Sequence, residues 1–477
     1  MQAAGLYGTN GIIPINETMS STTHNFAELP TLFLFFHDDQ ALTTISTIGI
    51  LASALAMLGI FTGPALFVAW LVYLSIVNAG DVFMSFQWDV LLLEVGFLSL
   101  FLATWKPFDL FYSEILQDLY ESTPAFFESG RPSIVVIWLF RLLLFRFMIS
   151  SGLVKIMSGD QTWADLTAMK FHYETQPLPT PIGYFAHHLP GWFQMFSTAG
   201  TFVIELIVPF MFFLPGKIRY VAGAVQIALQ LFIIVTGNYC FFNLLTIGLC
   251  LFLFDDSAVN KIVSGRLESK LKNLFQSEFK PNRLRYIYLV PLVFLTVNMS
   301  LFMTPILRQL ASSQPSFMLA LVRCVYPFHL VNSYGLFAVM TTTRPEIVVE
   351  GSENGQDWKT YEFKYKVGPL NRPPPVIAPF QPRLDWQMWF AALGDDVYHS
   401  PWFARFCVKL LQGSSEVLSL MEDNPFKEKP PKFVRARLYD YKMTSFDELL
   451  NSGNWWRREY LHEFMPAISL EVHEHMD

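Results

Sequence analysis

Charge is scarce in this sequence. Only 15% of its 477 residues are Asp, Glu, Lys or Arg, against about 25% in soluble domains. With 52% hydrophobic residues and a mean hydropathy of +0.34, such a chain reads as a membrane protein. An excess of base is also missing. The net charge of −7 leaves no cationic face of the kind nucleic acids need, so no nucleic-acid partner is expected. Cysteine is rare: Cys240, Cys250, Cys324 and Cys407 are scattered and form no C-x-x-C pair, which argues against a disulfide scaffold and against thiol-redox catalysis. The N-terminal MQAAGLYGTNGIIP has neither the basic n-region nor the apolar h-region of a signal peptide. Targeting then falls to the first hydrophobic span or to a segment outside this sequence.

What the sequence does have is long apolar runs. A hydrocarbon core about 30 Å thick takes roughly 20 apolar residues per helical span. Residues 41–79 exceed one span, and Gly59, Gly63 and Pro64 mark a tight turn that makes them a hairpin. Further spans are expected at 87–104, 133–154, 196–214, 220–236, 239–254 and 286–304, with the short 239–254 segment open to a re-entrant reading. Residues 1–40 contain no Lys or Arg, whereas 255–285 carry Lys261, Arg266, Lys270, Lys272, Lys280, Arg283 and Arg285. The positive-inside rule therefore puts 255–285 in the cytosol, and 1–40 and 155–195 on the other side. The sequon at Asn16 lies on that other side; a second one at Asn298 is inside an apolar span, where it is not expected to be modified. Residues 316–340 are apolar but hold Arg323, Pro327 and His329, and are read as a helix lying against the membrane.

Beyond Met340 the composition becomes that of a soluble domain. EIVVEGS and WKTYEFKYK flank ENGQD as a β-hairpin, KFVRARLYDYKM reads as a further strand, and DWQMWFAAL and PWFARFCVKLLQ read as amphipathic helices. The expected fold class is a polytopic α-helical membrane domain followed by a luminal α+β domain with a small β-sheet. The divisions are a luminal N-terminal segment (1–40), a membrane domain of about eight spans (41–304), a membrane-associated connector (305–340) and the luminal domain (341–477).

Several stretches, in order along nearly the whole chain, resemble the lipase maturation factors: YGTNGIIP, FQWDVLLLEVGFL, WLFRLLLFRFMISSGLVKIMSGD, FHYETQPLPTP, TGNYCFFNLLTI, VNSYGLF, RLDWQMWFAALG and VRARLYDYK. The resemblance implies a multi-pass protein of the endoplasmic reticulum membrane, without established catalytic chemistry. Its partners would be immature secreted lipases, above all lipoprotein lipase, which such factors help to fold and assemble into active dimers. The sequence departs from the family pattern in three places. Family members usually carry a transmembrane helix ahead of the GLYG motif, a longer region where 255–286 stands here, and further sequence beyond WWRREYLHEFMPAISL.

Four charges lie inside expected spans. Asp89 and Glu94 share one helix and Arg141 and Arg146 the next. Unpaired charge in lipid costs at least about 2.5–3.5 kcal/mol per residue. Antiparallel packing suggests Glu94–Arg141 and Asp89–Arg146 pairs, acting as a structural ladder or as a buried polar pathway. Glu205 is a third intramembrane acid, with Lys155 as one partner, while Gln226 and Gln230 share a face suited to gluing helices together.

In HYETQPLPTP, Pro177, Pro179 and Pro181 favour an extended backbone and exclude a helix. They leave His172, Tyr173, Glu174 and Gln176 as a polar cluster near the membrane. The cluster is read as a structural cap or a client-contact surface, the second candidate surface being Trp386, Trp389, Phe390 and Trp402. The competing reading is a membrane enzyme acting on a lipid or protein substrate, with His172 and Glu174 as base and orienter; no G-x-S-x-G elbow supplies a nucleophile. A transporter is less favoured, since no internal repeat is apparent. His172, His187 and His188 lack metal-ligand spacing, and no metal or cofactor is indicated.

Overall fold

The first apolar stretch folds back where its backbone can turn sharply. The computed structural model describes residues 2–104, 133–258, 285–303, 316–394 and 396–470. Helix α1 (Asp39–Met57) ends just before Gly59, which adopts a φ of +70°, and α2 (Thr62–Ala79) carries Pro64 in its first turn. Then come α3 (Gln87–Ser99), α4 (Ile134–Met157), α5 (Ala168–Thr175), α6 (Pro181–His187), α7 (Gly191–Phe202), α8 (Lys217–Thr236), α9 (Phe242–Leu251), α10 (Arg285–Met303) and α11 (Ser316–Val325). Helix α7 continues through a π turn (Val203–Ile207) and a 3-10 turn (Val208–Phe213).

Among the described residues, five helices are long and apolar enough to cross a bilayer: Asp39–Met57, Thr62–Ala79, Ile134–Met157, Gly191–Phe213 and Lys217–Thr236. Of the other three expected spans, α3 has 13 residues and α9 has 10, and the apolar part of α10 is Ile287–Ser300. Helix α4 is the most buried of the long helices, which is why it can carry two arginines. The basic 255–285 segment lies largely outside the described residues.

The connector differs from expectation. Helix α11 has only 10 residues, about 15 Å of rise, and residues 329–340 thread into the end of the helix bundle. Asn332 and Tyr334 reach α3, Lys155 of α4 donates to the Leu336 carbonyl (3.1 Å), and Met340 N donates to Asp160 (2.8 Å). The backbone carbonyls and N–H groups of an irregular segment need partners where water is excluded, and the bundle supplies them.

The C-terminal domain holds an antiparallel sheet in the order β2-β1-β3-β4, from β1 (Pro345–Ser352), β2 (Lys359–Tyr361), β3 (Phe433–Met443) and β4 (Trp456–Ile468). Helices α12 (Arg383–Ala392) and α13 (Pro401–Leu411) pack on β1 and β3, and α14 (Phe446–Ser452) leads into β4. The ENGQD turn contains Gly355 at φ +76°, as the hairpin reading requires, but β2 is shorter than WKTYEFKYK. Strand β4, unforeseen, is the longest of the four. Phe403 and Phe406, both fully buried, contribute about 1.5–3 kcal/mol each by leaving water.

The N-terminal segment shares that core. Leu6, Tyr7, Ile12 and Phe33 join Trp402, Phe403 and Ile347 in one cluster. Gly5 permits the approach: a Cβ there would stand 2.5 Å from the Glu416 carbonyl oxygen. The N-terminal segment and the C-terminal domain therefore sit on the same side of the helix bundle.

Candidate functional site

The HYETQPLPTP segment lies where the two domains meet. His172 to Thr175 end helix α5, and Pro181 opens α6 with the Thr180 hydroxyl accepting from Gly183 N (2.9 Å). Only 176–180 are extended, so the expectation of a wholly non-helical segment is corrected. Proline restricts the residue just before it and suits the first turn of a helix; it does not reach back to His172. Pro177 and Pro179 offer no N–H, so carbonyls at the end of α5 need donors from elsewhere.

Arg344, fully buried at the mouth of β1, supplies them. Its Nη1 donates to the carbonyls of Glu174 (2.6 Å) and Gln176 (2.5 Å), and its Nη2 to that of Pro177 (3.0 Å). A guanidinium at a helix C-terminus also meets the negative end of the helix dipole. Glu346 holds Arg344 at 2.8 Å and Lys366 at 2.9 Å, so the buried charges are paired. Asn238, of the TGNYC motif, ties a second strip together. Its Nδ2 donates to the carbonyls of Leu178 (3.2 Å), Pro179 (3.1 Å) and Pro375 (2.8 Å), while its Oδ1 accepts from Ile377 N (2.8 Å) and Ala378 N (3.1 Å). Trp389 adds an indole donor to the Thr175 carbonyl at 2.9 Å.

The proposed base and orienter are not in contact. Two residues apart on a helix, they face different ways. Glu174 accepts from Met443 N (2.7 Å) and has His187 Nε2 at 3.7 Å. His172 Nε2 lies 3.4 Å from the Tyr239 hydroxyl. Burial raises the Glu174 carboxyl and lowers His172 and His187 to about 4, the latter with a contribution from His188. Both imidazoles are neutral at physiological pH. Among the described residues no group of three or more His, Cys, Asp or Glu could hold a metal ion.

The intramembrane acids pair differently from expectation. Glu94 is bound by Arg146, not Arg141, and its Oε2 accepts from Asn332 N (3.0 Å) and the Tyr334 hydroxyl (2.8 Å). Asp89 pairs with Arg383 at 2.8 and 3.0 Å, not with Arg146, and accepts from the Tyr73 hydroxyl at 2.5 Å. Arg141 donates to the Phe252 carbonyl at 2.9 Å and lies over Trp138. The expected register considers only the two adjacent helices, but Arg383 reaches Asp89 from another domain, and Asn332 and Tyr334 reach Glu94 from the connector. Lys155 does meet Glu205, at 2.7 Å, and Gln226 and Gln230 bond to the Ile204 carbonyl and to Asn243.

Four of the eight client-contact candidates are interior: Tyr173, Gln176, Trp386 and Trp402 are buried, because both clusters serve the junction or the domain core. His172, Glu174 and Trp389 are partly covered, and Phe390 remains 44% exposed. Asn16 lies half-buried in the short helix Ile15–Ser20. The residues that organise the junction are Arg344, Arg383, Asn238, Asn332 and Tyr334. Each of the last four stands inside a motif singled out above, yet none was assigned a role; a polar residue within a largely apolar motif is the signal that could have found them.

The comparisons with known proteins cover both domains. The family description "Lipase maturation factor transmembrane domain" matches residues 1–261, and "Lipase maturation factor C-terminal domain" matches 330–466. Lipase maturation factor 2 of Homo sapiens is 35% identical over 98% of this chain and 80% of its own length. The Xenopus tropicalis protein of that name is 34% identical over 98% and 79%, and lipase maturation factor 1 of Homo sapiens is 33% identical over 98% and 83%. No solved structure matches the chain. With its membrane and C-terminal parts both accounted for, the chain belongs to the lipase maturation factor family, on the side of lipase maturation factor 2.

Proposed function

We propose that the chain is a maturation factor of the endoplasmic reticulum membrane that helps secreted lipases of the lipoprotein lipase class fold and assemble into active dimers. In this reading residues 2–37 and the C-terminal domain face the lumen, and the immature lipase is held there. Family membership supports the maturation role. The observation that carries the rest is the double clasp of Arg344 and Arg383, which fixes the C-terminal domain to the helix bundle. A client bound to that domain stays at a set height above the bilayer instead of swinging on a tether, which lowers the entropic cost of holding it.

Phe390 is the candidate anchor that stays exposed. A photo-crosslinking phenylalanine analogue at position 390, in microsomes making lipoprotein lipase, is expected to capture immature lipase, whereas the same analogue at the buried position 402 is expected to capture none. Equal capture at both positions, or none at 390, contradicts this contact.

A further inference from the structure

Two connected chambers lie in the helix bundle, the larger of them reaching the C-terminal domain. The larger, about 590 Å³, reaches from α4 and α8 to the underside of α12, and the smaller, about 300 Å³, lies beside α5 and α7. Both sizes fall in the roughly 300–1,000 Å³ range of small-molecule sites. Glu205, Leu229, Ile233, Tyr239 and Phe337 line both chambers, so the two meet there.

The smaller chamber is bordered by two of the long apolar helices. Phe196 (70% exposed) and Phe232 (42% exposed) line the smaller chamber and sit on Gly191–Phe213 and Lys217–Thr236, two of the long apolar helices. A molecule entering between them comes from the bilayer.

The interior is apolar, with a few polar groups carrying no net charge. Lys155 and Glu205 neutralise each other at 2.7 Å, and the remaining Lys155 protons go to the carbonyls of Ser151 and Leu336. Glu205 sits in the π turn of the α7 segment, a local irregularity that is frequent at functional sites. Three residues that line the chambers each carry a buried polar atom with no hydrogen-bond partner among the described residues: the Tyr173 hydroxyl, the Trp386 indole N–H and Asn243 Oδ1. Tyr173 is 1% and Trp386 3% exposed, so bulk water does not satisfy them. Unmade hydrogen bonds at such depth are costly, and a ligand with oxygen atoms that accept and donate relieves that cost.

We infer that these chambers bind a neutral, hydroxyl- and ester-bearing lipid of the monoacylglycerol kind, drawn laterally from the membrane. Its chain fills the apolar walls and its oxygens meet Tyr173, Trp386 and Asn243. A charged headgroup finds no free counter-charge, because Lys155 and Glu205 already satisfy each other.

The test uses the full chain in phosphatidylcholine nanodiscs and a monoacylglycerol carrying a diazirine and an alkyne. Saturable labelling is expected on peptides containing Tyr173, Phe196 and Ile233, displaced by unlabelled monooleoylglycerol. Ile233→Trp, which fills the point where the chambers meet, is expected to abolish it. Tyr173→Phe removes a hydroxyl that has no partner in the protein, so it is expected to leave the melting temperature unchanged while raising the half-saturating probe concentration about three- to ten-fold. Labelling that does not saturate, labelling unchanged in Tyr173→Phe, or displacement by a short-chain phosphatidylcholine as effective as by monooleoylglycerol overturns the assignment.

Discussion

Arg383, the first residue of helix α12, grips Asp89 in helix α3 through two hydrogen bonds of 2.8 and 3.0 Å, although 294 residues separate them in sequence. Asp89 is fully buried, so its charge has nowhere else to go. Removing one partner of a buried pair costs about 3–5 kcal/mol. Arg383→Ala and Asp89→Ala are therefore expected to lower the melting temperature sharply in detergent. The double replacement should cost clearly less than the sum of the two, and strict additivity contradicts the pair.

The same cycle separates the two pairings available to Glu94. Coupling is expected between Glu94 and Arg146, which touch, and none between Glu94 and Arg141, whose guanidinium is spent on the Phe252 carbonyl. Reversing Glu94 and Arg141 together should leave expression as poor as either single reversal.

Arg344 holds three carbonyls with a planar fork. Lysine keeps the charge but not that geometry. Arg344→Lys is expected to retain part of the stability and Arg344→Leu, which leaves the carbonyls of Glu174, Gln176 and Pro177 without this donor, very little. Limited proteolysis around residues 329–345 is the readout: faster cleavage in both variants supports the clasp, and wild-type resistance in Arg344→Leu contradicts it.

The junction should weaken in acid. His172 and His187 have values depressed from 6.5 to about 4, so the stability they contribute is complete above pH 6.5 and is lost as the pH falls through about 4. Asp385 works the other way. Burial raises it from 3.8 to about 6, so its contribution is present below 3.8 and is lost as the pH rises through about 6. Burial also raises the Glu174 carboxyl, so Glu174 acts in the same sense as Asp385. Both histidines lose their contribution from pH 6.5 downward, so a lower melting temperature at pH 5 than at pH 7 is expected. His187→Gln should shrink that drop, and Asp385→Asn should enlarge it; no change in either variant refutes the assignment.

At Gly5 there is no room for a side chain. The nearest obstacle is backbone, the Glu416 carbonyl oxygen at 2.5 Å from an added Cβ, and backbone gives way less easily than a side-chain tip. Gly5→Ala is expected to destabilise by about 1–3 kcal/mol, measured as loss of thermal stability. An unchanged melting temperature contradicts the tight approach of the N-terminal segment to the C-terminal domain.

The long spans are legible in the sequence because unbroken apolar length is itself the signal. The hairpin at Asn354-Gly355 and helices α12 and α13 are legible because turn chemistry and helical spacing are local. Strand β4 is not: residues 457–463 are exposed on both faces, so the alternation that marks a half-buried strand is missing. The partners of Asp89 and Glu94 are hidden for a different reason. Arg383, Asn332 and Tyr334 reach them from segments far along the chain, and helix-to-helix arithmetic considers only adjacent spans. The burial of Trp386 and Trp402 likewise depends on Trp88 and on Phe83, which come from the membrane domain side.

The central claim concerns lipase maturation at the luminal face. In cells lacking their own maturation factors, co-expressing this chain with lipoprotein lipase and measuring secreted lipase activity per unit of lipase protein tests it most directly. A rise in specific activity is expected with the native chain, and a loss of that rise in Arg344→Leu at matched expression. Specific activity unchanged by the native chain, with the protein present in the endoplasmic reticulum membrane, contradicts it.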